Sequence, residues 1–269
     1  MSDALLIVAV LNGARTRAEC PTLPVAPAEL AAEARRAVDA GAGMVAVQAP
    51  AFDLVVDDVV AAVRAAVDAP VCLSTQRARQ TSLGTVTALF DILRDVPDLG
   101  AVHVRPPAPD LPAHREEARQ ILEALDRVGV RPAPVAGGLD AIGDLEVLND
   151  DSLLGRAPFL SLVLGAPASN DPDVAAGTPQ NALRLVDHAR SVLAGLPIVA
   201  GARDGASAPV QAAAAAAGAH VRAGLEDSIV LPDGAAATSS AQLVERAVRL
   251  GEALGRPPMG PDDARLLIR

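Results

Sequence analysis

One stretch near the C-terminus combines the charged residues best placed for chemistry. Gly218 to Ser228 contains a short apolar strand pattern, Ala219 to Ala223, with Arg222 near its end and Glu226 and Asp227 just beyond it. Parallel α/β proteins keep their reacting groups at the carboxyl ends of strands. A guanidinium beside two carboxylates suits acid–base chemistry or the binding of a charged ligand, although similar trios also form in structural ion networks. We predict that Arg222, Glu226 and Asp227 form the catalytic group.

The elements that must position this group follow a regular alternation of short apolar runs and helical patterns. The chain predicts eight strands: Leu5–Val10, Met44–Gln48, Val71–Thr75, Ala101–Arg105, Arg131–Val135, Phe159–Gly165, Ile198–Gly201 and Ala219–Ala223. Helices are predicted between and after them: Pro27–Ala40, Leu54–Asp68, Leu83–Asp95, Pro112–Val128, Ile142–Asn149, Pro179–Ala194, Ala206–Ala217, Ser240–Leu254 and Pro261–Ile268. Eight strand–helix units with right-handed crossovers close into a barrel.

The predicted fold class is therefore α/β, a single-domain (β/α)8 TIM barrel over residues 1–269. The C-terminal helices, from about residue 238 to 269, are expected to pack on the barrel. A doubly wound open sheet is the alternative, but Asn12-Gly13-Ala14-Arg15 follows the first strand where a dinucleotide fold would place Gly-x-Gly-x-x-Gly.

Polar side chains at the other strand ends predict where a ligand binds. The predicted substrate-binding residues are Asn12, Ser74, Thr75, Arg105 and Arg203. Arginine is the dominant cation among the strand ends, and its planar guanidinium suits a small anionic ligand. Arginines at a barrel rim also form ordinary ion pairs, so this interpretation rests on the set and not on any single residue.

Composition excludes several classes of function. The chain of 269 residues has 23 basic and 33 acidic residues, a net charge of −10, three Phe, and neither Tyr nor Trp. A nucleic-acid partner is excluded because it would require a basic surface and stacking aromatics. All the basic residues are arginine, so Schiff-base catalysis and a P-loop, which need a lysine, are excluded as well.

The sequence also predicts the setting in which the protein works. It contains no apolar run of about 18 residues, so we expect no membrane span. Met1-Ser-Asp-Ala lacks the basic start of a signal peptide, and Cys20 and Cys72 show no metal-type spacing. We expect a cytoplasmic protein.

Several stretches resemble a known family. They are Pro21–Ala34, Asp39–Ala42, Leu73–Thr75, Phe159–Gly165, His220–Asp227, Ala241–Ala247 and Gly255–Arg265. Together they resemble the β-keto acid cleavage enzymes, whose best-known activity is 3-keto-5-aminohexanoate cleavage. The resemblance covers nearly the whole chain and independently implies the TIM barrel and assembly into a homo-oligomer.

The resemblance implies a reaction and a cofactor. Family members condense a β-keto acid with acetyl-CoA and release acetoacetate and a new acyl-CoA. They bind zinc through a His-x-His pair on the second strand and through the Glu of a Gly-Leu-Glu-Asp block, which is Glu226 here. Zinc would polarise the keto group, and residues matching Arg222 and Asp227 would serve the carbanion chemistry. Ser74 and Thr75 match the family as well.

The chain departs from the family at the metal. Ala46 and Gln48 replace the two histidines, so Glu226 is the only family ligand retained. Catalytic zinc normally has three protein ligands, and one carboxylate beside a carboxamide is a poor set. His103 could replace a ligand, but a lone strand histidine is more often packed or satisfied; His220 starts its strand, at the wrong end of the barrel. We expect no metal cofactor, with acetyl-CoA as a candidate co-substrate.

Three hypotheses follow from the sequence. In the first, the chain is a divergent family member with a degenerate zinc site that binds a small anionic keto acid or acyl ligand through arginines, without metal. In the second, it is an active keto-acid cleavage C-acyltransferase with a rebuilt metal site. In the third, it is a non-catalytic subunit that pairs with an active paralogue.

Overall fold

Eight parallel strands form a closed barrel in the protein. The computed structural model describes residues 3–48, 55–74, 93–103, 111–166 and 174–269. Each strand pairs in parallel with the next, and the eighth pairs with the first. The strands are β1 Ile7–Val10, β2 Met44–Val47, β3 Val71–Ser74, β4 Leu99–His103, β5 Arg131–Ala136, β6 Leu160–Leu164, β7 Ile198–Ala202 and β8 His220–Ala223. The predicted TIM barrel is confirmed.

Helices alternate with these strands along the chain. Those within the described residues are α1 Pro27–Asp39, α2 Val55–Ala66, α3 Leu111–Arg127, α4 Leu139–Asp150, α5 Pro179–Val192, α6 Ser207–Ala216, α7 Ser240–Ala253 and α8 Pro261–Leu267. A short 3-10 turn, Asp204–Ala206, precedes α6. The predicted helix Leu83–Asp95 falls largely on residues outside the described ranges.

Two hydrophobic layers explain why the strands are continuous apolar runs. On β2, Val45 and Val47 point outward to the layer shared with the helices, while Met44 and Ala46 point inward. Because both faces of each strand are covered, the sequence shows no polar alternation there. The inward layer fills most of the barrel, and a small cavity remains inside it towards the carboxyl ends of the strands, which form the mouth of the barrel.

The C-terminal segment closes the opposite end of the barrel. Leu5 bridges to Pro258, and the Met259 N–H donates to the Leu5 carbonyl at 2.9 Å. Met259, Ala264 and Ile268 belong to the inward apolar layer. No helix within the described residues is long and apolar enough to cross a membrane.

Candidate functional site

Arg222 lies buried between two carboxylates at the end of β8. Its Nε donates to Asp227 Oδ2 at 2.7 Å, and its Nη2 donates to Glu226 Oε1 at 2.6 Å and to Asp227 Oδ1 at 2.9 Å. The chain folds back after Ala223, because the Glu226 N–H donates to the Val10 carbonyl and the Asp227 N–H to the Gly224 carbonyl. The predicted catalytic group Arg222, Glu226 and Asp227 is thus brought together as one hydrogen-bonded unit.

Two further arginines hold the main chain of this unit. Arg203 Nη1 donates to the Glu226 carbonyl at 2.5 Å, and Arg15 Nε donates to the same oxygen at 3.1 Å. Arg15 Nη2 also bonds Asp204 Oδ1 at 2.5 Å. Asp204 has a φ of 52° and donates its N–H to the Asp227 carbonyl at 2.7 Å. A non-glycine residue in this conformation, next to an ionic cluster, is typical of a constrained functional site.

The six residues of this cluster balance in formal charge. Arg15, Arg203 and Arg222 face Asp204, Glu226 and Asp227. Arg222 donates to both of its neighbouring carboxylates through Nε and Nη2. Arg203, 28% exposed, donates from Nη1 to the Glu226 carbonyl at 2.5 Å and approaches the Glu226 and Asp227 carboxylates only to 3.8 and 3.7 Å, so part of its guanidinium faces the outside of the cluster.

The cluster keeps its charges despite burial. Burial raises the pKa of Glu226, but the charges of Arg222 and Arg203 and the hydrogen bond from Arg222 outweigh it, and the pKa is lowered overall. Burial also opposes the charge on Arg222, yet Asp227 and Glu226 hold its pKa above the usual value. Glu226 is therefore a carboxylate at neutral pH and cannot act as a proton donor.

Gly13 and Asn12, just after β1, connect the end of this strand to the cluster and to the end of β2. A side chain at Gly13 would place its Cβ 2.2 Å from Glu226 Cγ, so the loop after β1 packs directly on the carboxylate stem. Asn12 beside it donates its Nδ2 to the Gln48 carbonyl at 2.7 Å and accepts the Gln48 N–H at 3.0 Å. Asn12 therefore contacts the main chain after β2, and its role here is to fix that strand end.

A small cavity lies below the cluster, inside the barrel. Its volume is about 40 Å³, and its polar lining comes from Cys72, Ser74, His103, Ser161, Arg222 and Glu226. Apolar inward residues such as Val10, Ala46 and Ala101 complete the wall. Burial raises the pKa of Cys72 to about 12, so this thiol stays protonated. A cavity of this size has room for a few non-hydrogen atoms of a ligand beside Glu226.

His103 lies closer to Glu226 than a simply packed strand histidine would. It lines the cavity together with Glu226, and its charge helps to lower the pKa of Glu226, while its role as a metal ligand stays a prediction. The physical reason is strand alternation, which sends Ala101 and His103 inward and Val102 outward.

The remaining predicted residues divide into three groups. Ser74 lines the cavity. Asn12 contacts the main chain of Gln48, and Arg203 contacts the main chain of Glu226. Thr75 and Arg105 lie outside the described residues. His220 lies at the start of β8, away from the mouth as predicted. Sequence reasoning missed Arg15 and Ser161. Alternation from Phe159 would have found Ser161, whereas nothing in the loop sequence marks Arg15.

The described residues do not supply a zinc site. Among them no group of three or more His, Cys, Asp or Glu residues is close enough to hold a metal ion. Ala46 offers no donor, and the Glu226 carboxylate is hydrogen-bonded to Arg222. The donor set does not fit the zinc that the family resemblance implies.

Comparison with known proteins places this site in a family. Residues 4–269 match the family described as beta-keto acid cleavage enzyme. A 3-keto-5-aminohexanoate cleavage enzyme from Acetoanaerobium sticklandii is 42% identical over 60 residues, 22% of each chain. A 3-dehydrocarnitine:acetyl-CoA trimethylamine transferase from Rhizobium meliloti is 29% identical over 155 residues, 58% of this chain and 47% of that protein. The matched segments thus span less than half of either relative.

Solved structures agree on the fold. The apo structure of ObcA has a TM-score of 0.69 at 17% identity and covers 92% of this chain and 65% of that one. A 7,8-dihydropteroate synthase from Vibrio fischeri has a TM-score of 0.55 at 13% identity and covers 96% and 95%. At such identities the likeness concerns the barrel alone. With a family match over nearly its whole length, the chain belongs to the β-keto acid cleavage enzyme family.

Proposed function

We propose that this protein is a divergent β-keto acid cleavage family member that binds a small anionic keto acid or acyl ligand without a metal. The observation that supports this proposal is the state of Glu226, the only family ligand retained. Its carboxylate is hydrogen-bonded to Arg222, and residues Ala46 and Gln48 stand at the histidine positions. Within the described residues the charge of Glu226 is paired with Arg222, and the positions of the two histidines offer no imidazole to complete a zinc site.

Arg203 is the residue that we propose binds the negatively charged group of the ligand. Its Nη1 is bonded to the Glu226 carbonyl, but the side chain is partly exposed and approaches both carboxylates only loosely, so its other N–H groups can donate to a ligand. Arg222, by contrast, is hydrogen-bonded to both carboxylates. A ligand carboxylate at Arg203 would leave the acyl end of the ligand directed to the cavity lined by Ser74, Ser161 and His103. Charge-assisted hydrogen bonds of this kind contribute about 1.5–3 kcal/mol each.

Metal content tests the first part of the proposal. The purified protein is exposed to zinc, passed through gel filtration and analysed for metal, beside Glu226→Ala and the double variant Ala46→His/Gln48→His. We expect no stoichiometric zinc in the wild type and about one zinc per chain in the double variant. About one zinc per wild-type chain that disappears in Glu226→Ala would overturn the proposal.

Ligand binding tests the second part. Calorimetric titration with acetoacetate should give a measurable affinity that falls by about tenfold or more in Arg203→Met. Arg156→Met is the matched control, because Arg156 pairs with Asp126 far from the mouth. An unchanged affinity in Arg203→Met, or no binding of acetoacetate by the wild type, would contradict it.

His103 favours a second candidate function. Because it lines the same cavity as Glu226, a rebuilt metal site completed by other residues would support acetyl-CoA-dependent keto-acid cleavage, with this chain as an active C-acyltransferase. The assay is acetoacetate release from β-keto acids plus acetyl-CoA with zinc added. Activity that is lost in His103→Ala would favour this function over metal-free binding.

A further inference from the structure

Gln48 is a buried polar residue whose carboxamide forms no hydrogen bond to the described residues. The residue is 1% exposed, and neither its Oε1 nor its Nε2 has a hydrogen-bond partner within the part of the chain that the structure describes. Burying an unsatisfied carboxamide costs free energy, whereas an apolar side chain of the same shape would not. A group maintained at such a cost points to a ligand that satisfies it.

Strand alternation indicates which side of the barrel this carboxamide faces. Strand β2 alternates, with Val45 and Val47 outward and Met44 and Ala46 inward, and Ala46 lines the cavity. Gln48 directly follows β2 and is not among the residues that line the cavity, but the same alternation places its side chain on the inward side, one step nearer the mouth than Ala46. Strand β1 pairs with β2 on one side and β8 on the other, so Gln48 and Glu226 flank the β1 end.

The main chain of Gln48 is already fixed. Asn12 binds both its carbonyl and its N–H, at 2.7 and 3.0 Å. The side chain is therefore presented from a rigid base, which reduces the ordering cost of binding. Asn12 acts as a positioning residue for Gln48.

The hydrogen-bonding groups of a carboxamide indicate which ligand groups it can bind. Nε2 donates and Oε1 accepts, and both atoms need partners. A keto oxygen or a carboxylate offers only acceptors, and a metal on Oε1 would leave Nε2 unsatisfied. A hydroxyl beside another oxygen both donates and accepts, so it can satisfy the two atoms together.

We propose that Gln48 is a specificity-determining residue that selects a short carboxylic acid bearing a 3-hydroxyl group, or the enol form of the corresponding keto acid. This inference rests on the proposed function, since it assumes that the ligand carboxylate is held at Arg203. It goes further by naming the substituent that the barrel recognises.

Three four-carbon acids separate the contributions. Acetoacetate, 3-hydroxybutyrate and butyrate are titrated by calorimetry into the wild type and Gln48→Met, an unbranched apolar replacement of similar length. Gln180→Met, a change on the exposed surface of α5, is the control. We expect the wild type and the control to bind 3-hydroxybutyrate at least tenfold more tightly than butyrate, because sites that hydrogen-bond a hydroxyl discriminate strongly against its loss. In Gln48→Met this ratio should fall below about threefold.

A second measurement guards against a misfolded variant. Without ligand, Gln48→Met should have a higher Tm than the wild type, because it removes the unsatisfied carboxamide. A higher Tm together with lost hydroxyl discrimination supports the inference. An unchanged ratio in Gln48→Met overturns it.

The failures of the two proposals differ. If none of the acids binds the wild type, or if Arg203→Met binds them equally well, the proposed function fails and the inference with it. If the acids bind through Arg203 but the ratio is the same in Gln48→Met, only the role of Gln48 fails.

Discussion

At the scale of single residues, the site depends on how closely the loop after β1 approaches Glu226. Gly13 has a φ of +57°, a conformation that favours glycine, and its missing side chain leaves the space that the Glu226 stem occupies. The position therefore has two constraints, one in the backbone and one in the contact. They can be separated because Gly234 has a φ of +86° with nothing within 4 Å of its virtual Cβ.

We predict that Gly13→Ala lowers the free energy of unfolding by about 2 kcal/mol more than Gly234→Ala does. Both variants place alanine in the left-handed region, at a cost of about 1–2 kcal/mol. Only Gly13→Ala also forces Glu226 to move, so it should weaken acetoacetate binding as well. Urea unfolding and calorimetric titration measure the two effects. Equal losses of stability in both variants would show that the contact with Glu226 contributes nothing.

The charged cluster shows what a sequence leaves undetermined at this scale. Arg222, Glu226 and Asp227 lie within six residues, so their proximity follows from local geometry and could be predicted. Arg15 and Asp204 are 189 residues apart, and their pairing requires the closed barrel. Whether an arginine is committed to a carboxylate or remains available to a ligand also depends on distances that no spacing pattern gives.

At the scale of elements, the N-terminus of α7 supports the same loop. Ser240 is fully buried, and its Oγ accepts the Leu225 N–H at 3.2 Å, one residue before Glu226. The Ser240 N–H in turn donates to Glu33 of α1. Two helices distant in sequence thus meet beneath the Gly-Leu-Glu-Asp block and fix where it turns.

We predict that Ser240→Ala lowers stability by about 1–3 kcal/mol, because the buried Leu225 N–H loses its acceptor. The neighbouring Ser239 caps α7 by accepting the Gln242 N–H, and Ser239→Ala should cost about 1 kcal/mol. Only Ser240→Ala should also weaken ligand binding, since only Ser240 contacts the loop of Glu226. If both variants bind acetoacetate like the wild type, Ser240 has no influence on the site.

Element positions were largely predictable because hydrophobic periodicity dominates them. Every predicted strand overlaps an observed one, and α1 begins at Pro27 as expected. Boundaries shifted where the pattern was weak: β4 begins two residues early at Leu99, and α4 begins at Leu139, where Gly138 provides the extended residue before the helix. Glycine is compatible with several backbone conformations, so Gly138 in the sequence does not fix where α4 begins.

At the scale of the whole molecule, the two ends of the barrel have different chemistry. The mouth has a balanced ionic cluster above a small cavity, while the opposite end is closed by the C-terminal segment. There Arg256 Nη1 donates to the Ala215 and Ala219 carbonyls at 2.9 and 2.7 Å. His220 begins β8 at this end, and its Nδ1 accepts the Leu6 N–H at 3.1 Å, which joins the first and last strands.

This seam between β8 and β1 makes barrel stability sensitive to acid. Burial, together with the nearby charge of Arg256, lowers the pKa of His220 to about 4 from an ordinary 6.5. Above pH 6.5 the histidine is neutral in both the folded and the unfolded chain. As the pH falls from 6.5 towards 4, His220 becomes protonated in the unfolded chain but stays neutral in the folded barrel. The free energy of unfolding therefore decreases. Below pH 4 both states are protonated and this loss stops.

We predict that His220→Asn removes this part of the acid sensitivity. Asparagine keeps an acceptor for the Leu6 N–H but does not titrate. Between pH 7 and pH 4 the wild type should lose up to about 3 kcal/mol more of its free energy of unfolding than the variant does. Urea denaturation at half-unit pH steps measures the difference, and the values at pH 8 give the cost of the substitution itself. Parallel pH profiles for the two proteins would mean that His220 takes up its proton in the folded barrel, and the seam would then have to open locally to admit it.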